Sequence, residues 1–495
     1  MADFLCDMTE TLTDYKEIIS GLLKEIEELK AAYSKLNEEY SSLRRLYQCT
    51  AYELKKTKKQ LEQANKLLEK HGIKRPEKTS KNSSTPPSKE SIHASATRRT
   101  KSIRKPSGLN QGGQKGHEGS TLMATEEPSE TEDAEPVVCD KCGADLSGAK
   151  KVLVRTVMKL CIPASKPYIK RINYYQAICP ECGELVQAPG FRGLSGNPVV
   201  YDERIKSQAV YLSVTKSLPF NRIQSIFEDM YDIHISQGTL VNRINEASEK
   251  AEPAVQEIIN RIKASKVVGF DETGCYCNKK LRWAWIAQDK LHTYVFLGKS
   301  RRVKELETVF GDEMSHMTAV TDRHSSYFSY QFEGHQICMA HLLREFQYLS
   351  DLNPKQLWSG KFATIIRDAI NTRNSNREAV IDIGPWLSRL DRLLYEDVTK
   401  LGEKFTTLQK GLRKYRDYIF PFLRDPRIPP TNNDSERGFR IVKIKMHNSM
   451  CFRSKEGAEA YFRLHSIVET AKKHGRSAYD AILALFGVEA MPLYA

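Results

Sequence analysis

The chain has no uninterrupted apolar run near the ~20 residues needed to cross a bilayer, which excludes a membrane-spanning helix. Its first residues lack the basic-then-apolar pattern of an export signal, so the expected location is the cytoplasm. Acidic residues are in deficit: 62 Asp and Glu face 76 Lys and Arg, for a formal net charge of +14. A deficit of that size points to an acidic partner. Nucleic acid comes first, because phosphate neutralisation by Lys and Arg is its main binding term. Proline is absent before Pro76, so no ring interrupts a helix in that stretch. With 495 residues there is room for several domains and at least one sizeable core.

That proline-free stretch carries a sustained heptad. Position a reads Leu5, Leu12, Ile19, Ile26, Tyr33, Tyr40, Tyr47, Leu54, Leu61 and Leu68. Position d reads Met8, Tyr15, Leu22, Leu29, Leu36 and Leu43, then weakens to Thr50, Thr57 and Ala64. A period of 3.5 held this long predicts a coiled coil over 1–70 and self-association into a homodimer or higher oligomer. One long helix packed on the body of the protein is the alternative. Residues 71–136 are rich in Ser, Thr, Pro, Lys and Glu and read as a flexible basic linker. Within it, Arg98, Arg99, Arg104 and Lys105 belong to a basic run suited to a DNA backbone or groove, followed by a glycine-rich segment at 108–120.

Of 11 cysteines, four form two pairs, Cys139-x-x-Cys142 and Cys179-x-x-Cys182, each followed by glycine. In a cytosolic chain such pairs argue for metal rather than disulfides. Four thiolates make a closed tetrahedral site, so 137–190 is expected to be a ribbon around a structural Zn2+. The text between the pairs, such as 151–160, reads as strand. Residues 191–262 read as helices, with Ser236 an N-cap. Their spacing suits a helix-turn-helix presenting Gln237, Asn242 and Arg243 to DNA, although a plain three-helix bundle has the same periodicity.

From 263 the pattern becomes three strands, a helix and a further strand, the opening of a ribonuclease-H-like α/β fold. Asp271 is expected at the end of the first strand and Asp322 at the end of the later one, both at one sheet edge. Residues 263–346 are the first part of this core, 347–425 a helical insertion, 426–475 the second part and 476–495 a tail. Glu436 supplies a third carboxylate, although Asn433 as N-cap with Glu436 at N3 would form a capping box. Asp322 could likewise cap the helix starting near His324. Cys338-x-x-His341 has half of a zinc-site spacing without a matching pair nearby, so His341 and Arg344 are expected to flank the active site. Arg437 and Arg440 are candidate phosphate contacts; the other reading of them is ion pairing with Asp434 or another surface acid.

In order along the chain, these residues resemble the insertion-sequence 66 family of transposases. The resemblance rests on the coiled coil, the signature from Asn82 to Ser88, Gly113-Gln114-x-Gly116-His117 and the cysteine pairs. It continues through Asp271-Glu272-Thr273-Gly274, Thr321-Asp322 with Tyr327, Cys338-x-x-His341-x-x-Arg344-x-Phe346 and Asn433-x-x-Glu436-Arg437. Leu343-Arg344 stands where the family commonly has two arginines, and Met446-His447-Asn448-Ser449 replaces a common Arg-Lys-Asn-aromatic run. The resemblance implies a DDE nucleotidyltransferase in which Asp271, Asp322 and Glu436 hold catalytic Mg2+ or Mn2+. Its partner would be double-stranded DNA, both element ends and target. It further implies a nucleoid-associated bacterial protein and accessory transposition proteins as partners.

Overall fold

A heptad without proline gives one uninterrupted helix, α1 (Ala2–Lys70), in the computed structural model. The structure describes residues 2–70, 82, 128, 130–157, 167–188 and 200–488. Arg98, Arg99, Arg104, Lys105 and the glycine-rich segment lie outside the described residues. The chain divides into two units, Met1–Glu77 and Lys78–Ala495. Along α1 the a and d residues Ile19, Leu22, Ile26, Leu29, Leu36, Tyr40 and Leu43 are all exposed. Each large apolar side chain left in water forgoes ~1.5–3 kcal/mol of burial. Among the described residues, no helix is long and apolar enough to cross a membrane.

In the second unit both cysteine pairs form tight turns. Gly143 (φ +72°) and Gly183 (φ +71°) take the left-handed conformation that only glycine adopts freely. Their N–H groups donate to the carbonyls of Cys139 and Cys179, at 2.8 and 2.9 Å. The second turn joins strands β1 (Gln176–Ile178) and β2 (Leu185–Gln187), and a lone bridge between Val138 and Asp145 flanks the first. The strand expected from 151 onward does not form over 151–157. Val152, Leu153 and Val154 stay exposed there, without a neighbouring ladder to pair with.

Four helices follow: α2 (Glu203–Val214), α3 (Phe220–Tyr231), α4 (Gln237–Lys250) and α5 (Glu252–Lys263). Asp202 caps α2 by accepting from Ile205 N at 2.9 Å, and Ser236 caps α4 by accepting from Thr239 N at 3.0 Å. Ala209, Ile223, Phe227, Ile235 and Leu240 form a small core among the first three.

The central sheet contains β3 (Val267–Cys277), β4 (Lys280–Gln288), β5 (Thr293–Gly298), β6 (Thr318–Thr321) and β7 (Gly334–Ile337), in the order β5-β4-β3-β6-β7. β3, β4 and β5 are antiparallel, and the β3–β4 hairpin turns through Asn278 and Lys279, both at positive φ. β6 and β7 add in parallel after the crossover helix α6 (Lys304–Phe310).

Helices α7 (Met339–Leu352), α8 (Trp358–Ser375), α9 (Gly384–Leu394), α10 (Glu403–Lys414) and α11 (Pro421–Arg424) fill the interval before the third acid. They share a core that includes Trp358, Phe362, Phe405 and Phe420. The chain then returns to the sheet through α12 (Asn433–Gly438), α13 (Arg440–Ser449) and α14 (Lys455–Lys473). From α14, Ser466 and Thr470 accept the N–H groups of Val295 and Thr293 on edge strand β5, at 2.9 and 3.1 Å. Those bonds satisfy an otherwise open sheet edge. Further on, α15 (Ala478–Leu485) buries Ala481 and Ile482 in the main core with Val210 and Val214 of α2.

Candidate active site

Asp271 lies within a strand rather than at its end. β3 is 11 residues long, but its parallel ladder with β6 covers only Val267–Gly269 against Thr318–Val320. Beyond Gly269 the strand continues solely as the hairpin with β4, so Asp271 stands just past the point where β6 leaves it. Asp322 is the first residue after β6. Its Oδ1 accepts from His324 N at 2.9 Å. The helix near His324 is a short 3-10 turn, Ser325–Ser329, whose N-cap is His324, so Asp322 does not cap it.

The third acid reaches this edge through a buried polar network. The side-chain amide of Asn432 donates to Phe270 O at 2.7 Å, and its backbone N–H donates to Cys338 Sγ at 3.2 Å. Ser435 Oγ donates to Asn432 Oδ1 (2.6 Å) and accepts from Gln288 Nε2 (3.1 Å). Gly269 makes room for this contact: a Cβ there would lie 2.8 Å from Ser435 Oγ and 3.0 Å from Asn432 Oδ1. Three chain segments are therefore locked together one residue before Asp271.

Glu436 does not close a capping box. The helix begins at Asn433, with Asn432 as its N-cap and no side-chain capping bond. The Glu436 carboxylate instead faces α7: Oε1 lies 3.6 Å from His341 Nε2, and Oε2 lies 3.6 Å from Arg344. His341 and Arg344 thus flank the third acid.

Electrostatics ties the carboxylates together. Burial, then the charges of Glu272, Asp322 and Glu436, push the Asp271 carboxyl well above the usual carboxylate range, against one lowering bond from the Glu272 N–H. Asp271 keeps some solvent-accessible surface, so it sits in a recess rather than a sealed core. Glu272 is raised by burial and by Asp322, while Tyr327 and Arg301 act in the other direction. Arg301 Nε donates to Glu272 Oε1 at 2.5 Å and the Tyr327 hydroxyl donates to Oε2. Arg301 also lies 4.0 Å from Asp322 and over the ring of Trp283.

Sequence reasoning missed Asn432 and Arg301. The first neighbours a motif position and the second lies in a loop between β5 and α6, and neither carries a spacing signal. Such a cluster of hard oxygen donors fits divalent metal. The buried Glu436 Oε1 has no hydrogen-bond partner, which supports the fit.

The remaining candidates are dispersed. Gln237 and Asn242 are exposed on α4, whereas Arg243 is half-buried and pairs with Glu246 at 2.5 Å. Arg437 pairs with Asp434 and Arg440 is exposed. Backbone N–H groups of Cys142 and Lys141 lower the Cys139 thiol, and those of Cys182 and Glu181 lower Cys179. Among the described residues, only Cys338, His341 and Glu436 bring three His, Cys, Asp or Glu ligand atoms within 4.8 Å of one another.

Fold and site together define a mixed α/β protein with an acidic cluster where its parallel ladder opens. The model described as Transposase IS66 family matches residues 198–460, and the chain belongs to this family of transposases, DNA-processing enzymes. A second model, of a family of unknown function, matches residues 21–123. No curated protein matches the chain.

Proposed function

We propose that this transposase cuts and joins DNA strands at the ends of its mobile element, with Mg2+ or Mn2+ held by Asp271, Asp322 and Glu436. The observation that carries the reading is the convergence of three acids from separate segments: Asp271 just past the point where β6 leaves β3, Asp322 directly after β6, and Glu436 on the helix that Asn432 ties to β3. Assembling three acids from distant parts of the chain at one open sheet edge costs electrostatic energy that a cation recovers. The strand order β5-β4-β3-β6-β7, antiparallel on one side and parallel on the other, supports a ribonuclease-H-like core.

When bound, divalent ions would activate a water or 3′-hydroxyl and stabilise the leaving oxygen. The protein's own residues do the remaining work. Asn432 and Ser435 fix α12 against β3, which orients Glu436. Arg344 and His341 hold the Glu436 carboxylate from behind. Arg301 neutralises Glu272, so that charge does not add fully to the triad.

Around this site, Gln237, Asn242 and Arg243 would read element ends from a helix-turn-helix. Arg440, Arg437, His341 and Arg344 would meet phosphate near the active site, and Arg98, Arg99, Arg104 and Lys105 would follow the DNA backbone. Zinc on Cys139, Cys142, Cys179 and Cys182 would join the two cysteine turns into one ribbon. The exposed stripe of α1 supports pairing of two copies, which would bring two ends together.

The test is Asp271→Asn in the full chain, incubated with labelled element ends and Mg2+ or Mn2+. Strand cleavage and joining are lost while end binding persists. Joining retained by the variant would sink the triad. Metal-independent binding without any nicking by the wild type would make the protein a non-catalytic DNA binder.

A further inference from the structure

We infer that Cys338, His341 and Glu436 form a second cation site, of the zinc class, that shares its carboxylate with the acidic triad. Sequence spacing alone shows only half a site, Cys338-x-x-His341. The fold supplies the third ligand from α12, almost a hundred residues further on, and brings the three donor atoms within 4.8 Å of one another.

Three observations go beyond proximity. First, Glu436 Oε1 is buried without a hydrogen bond. Leaving such an atom unsatisfied costs about 1–3 kcal/mol, and a cation beside it removes part of that cost. Second, His341 Nε2 and Glu436 Oε1 are 3.6 Å apart, too far for a hydrogen bond. Two ligands of a tetrahedral ion with bonds of about 2.1 Å lie about 3.4 Å apart, so the separation suits a shared metal. Third, Cys338 is fully buried, and its sulfur accepts the backbone N–H of Asn432 at 3.2 Å. An N–H aimed at the sulfur fixes the direction it faces.

The donor chemistry selects the ion. Magnesium and calcium take oxygen and do not favour thiolate, whereas zinc accepts sulfur, nitrogen and carboxylate oxygen together. Three protein ligands leave one position open. The two oxygens of Glu436 face different neighbours, Oε1 toward His341 and Oε2 toward Arg344. Zinc bound through Oε1 holds the third acid on the α7 side and competes with a hard ion for the same carboxylate. Zinc therefore opposes the magnesium-supported reaction.

The site is tested on the full chain carrying Cys139→Ser and Cys179→Ser, which disables the two cysteine turns as zinc ligands. Bound zinc is counted by mass spectrometry, and Co2+ is added to follow the cobalt–thiolate charge-transfer band. The expected result is about one zinc per chain and a cobalt band, both lost on adding Cys338→Ser and the zinc reduced at least tenfold in affinity by His341→Gln. The same zinc content with and without Cys338, or a cobalt spectrum unchanged by both variants, overturns the site. If Cys338→Ser does not fold, as judged by circular dichroism, His341→Gln decides alone. Neither readout involves DNA, so failure here is distinguishable from failure of the magnesium-dependent cleavage.

Discussion

The side-chain amide of Asn432 donates to the carbonyl of Phe270 across 2.7 Å, and this bond sets the register between the helix bearing Glu436 and the strand bearing Asp271. Its other contacts, to Ser435 and Cys338, make Asn432 the junction of three segments far apart in sequence. Asn432→Ala removes buried bonds at both ends and leaves the Phe270 carbonyl unpaired. The variant should lose on the order of 2–3 kcal/mol in urea unfolding. Because a displacement of about 1 Å at a catalytic group costs ~100-fold in rate, strand cleavage should fall by at least that much. Wild-type cleavage in the alanine variant would show that Glu436 is placed by something else.

Burial and three neighbouring carboxylates all oppose the ionisation of Asp271 in the metal-free protein. Asp271→Asn keeps the shape and removes the charge. Without metal, the variant should be more stable than wild type by roughly 1–2 kcal/mol, as expected where function and stability conflict. Added Mg2+ should raise the wild-type melting temperature and leave the variant unmoved, because only a ligand bound by the native state shifts it. Equal Mg2+ shifts in both proteins would remove Asp271 from the metal site.

Glu272 has a side chain that is 1% exposed and relies on Arg301 and Tyr327 for compensation. Arg301→Ala leaves that carboxylate with the tyrosine hydroxyl alone. Arg301 is itself 41% exposed, so the loss should sit near the low end for a broken buried pair, about 2–3 kcal/mol. Pairing the change with Glu272→Gln should return most of that stability. A double-mutant cycle by chemical denaturation measures it, and purely additive losses would count against the pair.

His335 packs against both Phe328 and Tyr418, with ring centroids at 4.7 and 5.2 Å, and its Nε2 meets Thr321 Oγ1 at 2.7 Å. Thr321 Oγ1 donates in turn to the carbonyl of Asp322, so the ring braces the turn that holds the second acid. Burial lowers the His335 pKa from 6.5 to about 4. The unfolded chain therefore takes up this proton before the folded one does. The contribution is complete above pH 6.5 and is lost as pH falls toward about 4, amounting to about 3 kcal/mol in full. Unfolding midpoints at pH 7 and pH 4.5 should diverge less in His335→Phe than in wild type; an unchanged difference would mean the ring is not the sensor.

The sequence by itself determined the features whose physics is local. A heptad without proline dictates one long helix, glycine after each second cysteine dictates a left-handed turn, and Ser236 and Asp202 cap the helices they precede. Asp322 was also legible, since the strand text before it announces an element and its polar exit, whereas Asp271 lies within its strand and not at the exit the text suggested. Glu436 was ambiguous at that level because helix-starting residues offer a capping box on spacing alone, and only packing shows its carboxylate turned to His341 and Arg344. Tertiary structure alone decided the rest. Asn432 and Gly269 matter through close approach across a long sequence gap, Arg301 through meeting two acids from other elements, and Cys338 and His341 through gaining a third donor from α12. Such contacts arise when the sheet and the helices of the insertion pack, and no periodicity in the chain encodes which distant side chains that packing brings together.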